Sequence, residues 1–456
     1  MTERTGKTEY SYIKNVPVTD EFDVLVVGGG PAGICAAVSA ARHGARVLLA
    51  ERYGVVGGMM TTGAVDPILG SVSAGTMYDE IVGRLRRMDP DVPVMTTRNG
   101  REIPVDKESA KTVLDAMIAE SGITLWLGAA FADVMTDGDA NGNAIGKKVT
   151  GGIFATQSGL RGVRAAVTVD ATGDGCVCAA AGCRVDVGRD GDGATQPMTL
   201  EFTVAGVDEN VAITAWGGTD PVKIPSGEYA GMEYRALCRM KNEEGELPEN
   251  VNIVRLHRTV HPRERTVNAT QVNGYDALDP ASVAEAELKL RRQIGQCVDF
   301  LRKYVPGYEN CTLKSSADTV GVRESRRIRG LETVDDETVE TGKTHDDAVV
   351  HKAWFLIDIH NPRGSGQAEG HSHPAEPYDI PWGALIPPET DGLICAGRCI
   401  SGTHRAHASY RVMAVCMAMG EAAGVGAALC AAQKTEPRDL PATAVRCVLA
   451  ARGVEL

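Results

Sequence analysis

The sequence contains no Cys-x-x-Cys pair. Among its 12 cysteines the tightest spacings are Cys176/Cys178 and Cys395/Cys399, which argues against a thioredoxin-like disulfide, a zinc ribbon and an iron–sulfur cluster. Most of them read as small core residues. The first 22 residues, MTERTGKTEYSYIKNVPVTDEF, lack an apolar segment of signal-peptide length, so no export is expected and the cytoplasm is the default. A long Leu- and Ile-rich run is missing too. The one extended weakly polar stretch, 412–432, carries Glu421 and is rich in Gly and Ala, which suits a buried helix better than a membrane span. Basic charge is in deficit: 47 Lys and Arg against 60 Asp and Glu give −13, so neither nucleic acid nor an anionic membrane is an expected partner.

What the chain has is length and glycine. Its 456 residues can bury a large core in two lobes, and 52 glycines imply many turns dictated by the backbone. The organising stretch is 23–51, DVLVVGGGPAGICAAVSAARHGARVLLAE. An apolar run enters Gly28, Gly30 and Gly33 at GxGxxG spacing, an Ala-rich helical run follows to Gly44, and a second strand ends in Glu51. Gly28 permits the tight turn, Gly30 lets the backbone approach a diphosphate, and Gly33 lets helix pack on strand. The diphosphate sits on the helix N-terminus, where unpaired N–H groups favour negative charge. Glu51, 18 residues beyond Gly33, is placed to accept hydrogen bonds from a ribose.

Farther along, the loop GVVGGMMTTGAVDP either brings backbone to the middle of a long cofactor or is a plain loop. A helix is expected over 106–122 with Asp106 as cap and Gly122 as stop. Strands near 123–127, 149–154 and 163–169 form a meander broken by the turn-rich TDGDANGNAIG, and the last runs into DATGDG at 170–175. From about Gln196 the pattern changes. Residues 198–204 and 251–261 alternate as strands, with Arg255, His257, Thr259 and His261 on one face and Val254, Leu256 and Val260 on the other. A face so rich in ionisable groups is either exposed or lines a polar cavity, and exposure is the expectation. Asp279-Pro280 opens a helix whose stripe Leu290, Ile294, Val298, Leu301 and Val305 is core. The acidic segment LETVDDETVETGKTHDD reads as a solvated loop, with or without some strand. Near the C-terminus the strand 393–396 meets Gly397 and a polar loop, and a long Ala-, Gly- and Met-rich helix begins near Ala408.

The motifs VVGGGPAGICAA, VGG at 56–58, VDATGDG, VGVRESRRIRG, IDIHNPRG, YDIPWGALIP and LICAGRCISGTHRAHASYRVMAVCMAMGEAAG span about 22–429. In combination they resemble the FAD-dependent oxidoreductases of the broad glutathione-reductase-like class, and within it the FAD_oxidored family. The resemblance implies an α/β chain of the two-dinucleotide-binding-domain flavoprotein type: a Rossmann-like FAD domain with a β-meander, plus an inserted α+β substrate or cap domain. The expected division is a tail over 1–20, the FAD domain over 21–195, the cap over 196–375 with returns to the FAD domain, the rest of the FAD domain over 376–435, and a closing segment over 436–456. FAD rather than NAD also follows from the returning ATG turn and the C-terminal strand–loop–helix, which suit a longer cofactor. Beside Gly28, Gly30, Gly33 and Glu51, the residues implied to hold it are Pro31, Ala32, Arg52, Gly57, Gly58, Met59, Ala130, Ala171, Thr172, Gly173, Gly397, Arg398, Arg411 and Val412. Where many relatives have Gly-Asp, this chain has Gly397-Arg398, which assigns Arg398 to the diphosphate or ribityl. Met59 and Met60 stand where the succinate dehydrogenase branch has a flavin-linking histidine, so the FAD is expected to be non-covalent. No second GxGxxG follows, which argues against a dedicated NAD(P)H domain.

Flavin chemistry on an alcohol, amine or C–C bond needs a neighbouring acid or base. The catalytic candidates are His404, His261, Arg323, Asp358 and His360, and the substrate-binding candidates are Arg255, His257, Arg258, Arg405, His407 and Tyr410. His404 stands where fumarate-reductase relatives place a substrate-facing histidine, without their surrounding HGANR pattern. Arg323 either orients an anion or joins Glu324, Arg326 and Arg327 in an ion-pair cluster, and Asp358 with His360, which share one face if IDIH is a strand, is either an acid/base pair or a structural contact. His371 and His373 of GHSHP lack a third ligand at telling spacing, so no metal is expected. The expected function is a soluble oxidoreductase moving a hydride between FAD and a small organic molecule, for which the arginines favour an anion. An electron-transfer subunit working with a redox partner protein is the alternative, and a tRNA-modifying flavoprotein is disfavoured by the acidic balance. A homo-oligomer is left open.

Overall fold

The strand Val18–Val27 is the centre of a parallel sheet, with Val47–Ala50 on one side and Gly159–Asp170 on the other. The computed structural model describes residues 13–90, 95–97, 100–137, 147–215 and 221–456. Residues 1–12 of the expected tail and 138–146 of the turn-rich segment lie outside these. The central strand already begins at Val18, inside the expected tail. Thr124–Trp126 adds to the far edge of Val47–Ala50, and Leu393–Cys395 pairs in parallel with the end of Gly159–Asp170. Such strands are covered on both faces, so they read as runs of Val, Leu and Ile rather than as alternation. The meander follows antiparallel, with Ala130–Thr136 on Lys147–Thr156 and the latter on Gly159–Asp170.

Register brings four strand ends to one edge. Val27 stands level with Ala50 and with Asp170, and Asp170 with Cys395. The residues that follow are Gly28, Glu51, Ala171 and Ala396. A crevice outside the carboxyl ends of parallel strands is where this architecture binds ligands.

The helix Pro31–Arg42 packs on the sheet because Gly33 has no side chain: a Cβ there would lie 1.8 Å from the Gly28 carbonyl oxygen. On its other side runs Met413–Gln433. Gly420 and Gly424 lie so close to it that a Cβ would meet the carbonyl oxygens of Ala32 and Ala36 at 2.0 and 2.2 Å. This helix is long and apolar enough to cross a membrane by composition, and 94% of its most apolar window is buried inside the protein. The helix Lys107–Glu120 starts at Asp106, whose Oδ2 accepts from the N–H groups of Glu108 and Ser109 at 3.0 and 2.9 Å.

A second hydrophobic cluster belongs to a four-stranded antiparallel sheet ordered Arg255–Arg258, Glu264–Asn268, Phe202–Ala205, Thr312–Ser316. The helix Pro280–Tyr304, capped by Asp279, buries Leu290, Ile294, Val298 and Leu301 against its apolar face, with Val305 just beyond. The other face carries Arg255, His257 and Thr266. His257 is only 7% exposed and Thr266 is 2% exposed, which corrects the expectation of a solvent-facing strand: this polar face is covered. Thr266 Oγ1 donates to Asp66 Oδ2 at 3.3 Å, so the loop after the 56–60 glycine turn forms part of the cover.

Three further segments differ from the sequence reading. The acidic segment is not a plain loop. Asp335 caps a helix, Asp336–Thr341, accepting from Thr338 N–H at 2.9 Å, and Val334 and Val339 are buried in the core of the parallel sheet. That core is therefore rejoined near Val334, within the stretch assigned to the cap through 375. IDIH is not a strand but two isolated bridges, Ile357 to His373 and His360 to Gln367. The C-terminal helix is two, His404–Tyr410 and Met413–Gln433, because Val412 is extended (φ −73°, ψ 154°).

Candidate active site

The four strand ends border a cavity of about 280 Å³. Of the residues implied for FAD, Gly28, Gly30, Pro31, Ala32, Glu51, Arg52, Gly58, Met59, Ala130, Ala171, Thr172, Gly173, Gly397, Arg398 and Arg411 line it. Gly33, Gly57 and Val412 do not: Gly33 is buried between helix and strand, Gly57 holds a left-handed turn at φ +109°, and Val412 is the bend before the long helix. Tyr53, Phe131, Asp174, Cys176, Val320, Val322, Met413 and Cys416 also line it. Asp174, Val320, Val322, Met413 and Cys416 lie within the motifs quoted above without being singled out there, whereas Tyr53, Phe131 and Cys176 lie in none.

The cavity has the features a dinucleotide needs. No side chain caps the helix Pro31–Arg42, so its first N–H groups open onto the cavity at Gly30, and a Cβ on Gly30 would meet nothing within 4 Å. Glu51 is held rigidly, Oε2 accepting from Gly29 N–H at 2.6 Å and Oε1 from Tyr53 N–H at 2.8 Å. Remaining lone pairs of the carboxylate can accept from ribose hydroxyls. The ATG turn is fixed by Asp170, whose Oδ1 accepts from Thr172 N–H and Oγ1–H and whose Oδ2 accepts from Cys178 N–H. Burial works to raise the Asp174 carboxyl, but Arg398 and Ser325 overcome it and hold it below its ordinary value. Arg398 Nη2 donates to Asp174 Oδ1 at 2.6 Å, so this arginine reaches the cavity already paired to an acid. FAD fits this set of residues.

Beside the cavity lies a cluster of buried polar groups, the chamber, which meets the cavity at Arg411. Arg411 Nη2 donates to the Asp358 carbonyl at 3.1 Å and lies 3.4 Å from Asp358 Oδ2, and its buried Nε has no hydrogen-bond partner among the described residues. His360 Nε2 is 3.2 Å from the same Oδ2, and Gln367 Nε2 donates to Oδ1 at 2.7 Å. Burial would raise the Asp358 carboxyl, yet His360, Arg411 and Arg255 hold it well below the carboxylate range. His360 is lowered to about 3 by burial and by Arg323, and His257 to about 4 by burial and Arg255. Arg323 is lowered to about 9, first by burial and then by Arg411. Its Nη1 donates to Pro197 O at 2.8 Å. The side chain of Arg255 makes no hydrogen bond or ion pair with any described residue, its backbone pairing with Asn268.

Arg323 therefore stands apart from its neighbours' ion-pair cluster. Glu324 Oε1 pairs with Arg327 and lies 2.8 Å from His404 Nδ1, while Oε2 accepts from Gln196 N–H at 3.1 Å. Other candidates are not brought to the chamber. His261 is half-exposed, 3.6 Å from Asp106, and Arg258 is exposed. Arg405 is taken by Glu340 and Glu369. His407 and Tyr410 are buried in the core, their rings edge to face at 5.5 Å, with Tyr410 Oη donating to Ile400 O. The residues of the chamber that sequence reasoning missed are Asp66 and Glu201, both buried and both raised to about 8, chiefly by burial. Thiols that looked scattered also gather: Cys395 Sγ is 3.3 Å from Cys399 Sγ, with Cys178 and Cys183 adjoining. Away from the cavity, Glu332, His345 and Asp347 bring one potential ligand atom each within 4.8 Å of the others.

Comparison with known proteins points the same way. The soluble pyridine nucleotide transhydrogenase of Chromohalobacter salexigens is 55% identical over 40 residues, 9% of this chain and 9% of that protein. The NADH oxidase of Thermoanaerobacter brockii is 45% identical over 58 residues, 13% of this chain and 9% of that protein. The chain thus matches about a tenth of these relatives' length. A triple mutant of the flavin-dependent brominase Bmp2 shares the fold, with a TM-score of 0.50 at 14% identity over 94% of this chain and 84% of that one. The family model described as FAD dependent oxidoreductase matches residues 23–449. The chain belongs to that family, an oxidoreductase enzyme with FAD as its cofactor.

Proposed function

We propose that this enzyme transfers a hydride between non-covalently held FAD and a small organic anion, in the cytoplasm and as a soluble protein. The observation that carries the reading is the imbalance of charge in the chamber. Three guanidiniums, Arg255, Arg323 and Arg411, face one ionised carboxylate, Asp358. Uncompensated buried charge is costly, and a carboxylate-bearing substrate relieves it.

When bound, FAD supplies the acceptor or donor of two electrons. The glycine turn and the N-terminus of Pro31–Arg42 bind the diphosphate, and Glu51 receives the ribose. Arg255 and Arg323 orient the substrate's carboxylate. Asp358 accepts from His360 Nε2–H, a tautomer assigned from the hydrogen bond, which leaves Nδ1 as the acceptor atom. Burial beside Arg323 keeps His360 neutral at pH 7, so Nδ1 can take the proton released when a substrate carbon is oxidised, or return it in the reverse direction. Arg323→Met tests the assignment. Substrate-driven flavin reduction should fall by roughly 100-fold with flavin content unchanged. Wild-type reduction rates in that variant, or loss of the bound flavin, contradict it.

A further inference from the structure

Leu200, Phe202 and Val204 point into the core of the antiparallel sheet, so Glu201 between them points to the opposite, polar face. Phe202 pairs with Val267 and Arg255 pairs with Asn268. Continued by one residue, the register sets Glu201 in the same row as Asn268 and Arg255. Two inter-strand spacings, roughly 10 Å, then separate the backbones of Glu201 and Arg255, with Asn268 between them on the same face. Glu201 is 4% exposed, and its Oε2 is buried with no hydrogen-bond partner among the described residues. A buried carboxyl oxygen left unmet is costly, and at the other end of the row the side chain of Arg255, near Asp358, has no hydrogen-bond partner among the described residues.

We propose that Glu201 is a substrate-contacting residue, its carboxyl group donating a hydrogen bond to the carboxylate of a small substrate that Arg255 holds from the other side. This rests on the reading of the chamber as an anion site. Burial raises Glu201 to about 8, with Arg323 lowering it and Asp66 raising it, so the group carries its proton at pH 7. Two acceptors, a protonated acid's carbonyl aside, could not otherwise meet: an ionised Glu201 repels the substrate. The groups facing it are Arg323 and Arg255, Asp66 from the 56–66 loop, His257 on the same sheet, and Asp358 with His360 behind them. Anion affinity is therefore held below about pH 8 and lost above it.

The test uses the FAD-loaded protein and acetate, with binding read from the perturbation of the flavin spectrum. For the wild type, affinity should fall about fourfold between about pH 6.5 and about pH 8.5. Glu201→Gln keeps a donor but cannot ionise, so the fall should vanish, whereas Asp66→Asn should retain it. Glu201→Ala should bind acetate roughly tenfold more weakly at the lower pH. Unchanged flavin content and melting temperature certify the fold of each variant. If acetate perturbs the wild type but both Glu201 variants follow the wild-type course, the assignment of Glu201 is overturned and the anion site stands. If acetate leaves the wild-type spectrum unmoved, the anion reading itself fails and takes this assignment with it.

Discussion

At the scale of single residues, the turn at Gly28 and the acid Glu51 form one end of the cavity. Gly28, Gly30 and Gly33 each answer to a backbone need within one turn, and Glu51 closes that turn by accepting from Gly29 N–H. Glu51→Gln should therefore weaken FAD binding by roughly 10- to 100-fold, the scale of a charge-assisted hydrogen bond, in a titration of the apoprotein. Unchanged affinity would mean that the carboxylate serves only the loop. The role of Asp174, which lies in the VDATGDG motif, was not legible in the sequence, nor was that of Glu201, which lies in no quoted motif. Asp174 reaches the cavity because Arg398, 224 positions away, pairs with it, and Glu201 depends on a strand register. Arg405, His407 and Tyr410 show the reverse failure: their residue types suit a substrate, but the short helix His404–Tyr410 turns them toward other acids or the core.

Among elements, the pairing of Pro31–Arg42 with Met413–Gln433 is the contact on which the cavity depends, since Met413 and Cys416 at the start of the second helix line it. Close approach is possible only where Gly420 and Gly424 face the carbonyls of Ala32 and Ala36. Gly424→Ala should destabilise the protein by roughly 1–3 kcal/mol through overpacking, seen as a lower melting temperature, with FAD retained less tightly. A melting temperature equal to the wild type's would show that the helices can separate without cost. The composition of this helix was legible, but its start was not. Neither Pro nor Gly marks the bend at Val412, which lets Arg411 turn back to Asp358. Likewise the helix Asp336–Thr341 hides in an acidic run, because only Val334 and Val339 betray its buried side.

For the molecule as a whole, two cores enclose a seam of buried ionisable groups, and this makes stability depend on pH in a defined direction. Asp66 and Glu201 rise from 3.8 and 4.5 to about 8 on folding. Their contribution is complete below the unfolded values and is lost as pH rises toward about 8. His257 and His360 move the other way, from 6.5 to about 4 and about 3, so theirs is present above 6.5 and lost as pH falls. Between about pH 6.5 and about pH 8 only the acids act among these four, and the Asp66→Asn, Glu201→Gln double variant should lose stability less steeply than the wild type in urea titrations. The Cys395 thiol, lowered to about 7, works in the opposite sense in both proteins, so the difference between them is the readout. Equal slopes would contradict the burial of these acids in their protonated form. The sequence made the parallel sheet and its cofactor legible because strands, glycines and acid lie within one short stretch. Arg255, Arg323, Asp358 and Arg411 each stand out in the sequence as site candidates, but their meeting was illegible because they come from four separate segments.

The most direct measurement is an anaerobic titration of the FAD-loaded protein with small carboxylates that carry an oxidisable hydroxyl, amine or C–C bond, beside their uncharged amides and esters. The account predicts that flavin absorbance bleaches with one or more of the carboxylates and not with the neutral analogues. Bleaching by the neutral compounds at equal or greater rate would contradict the assignment of Arg255 and Arg323 to a substrate anion.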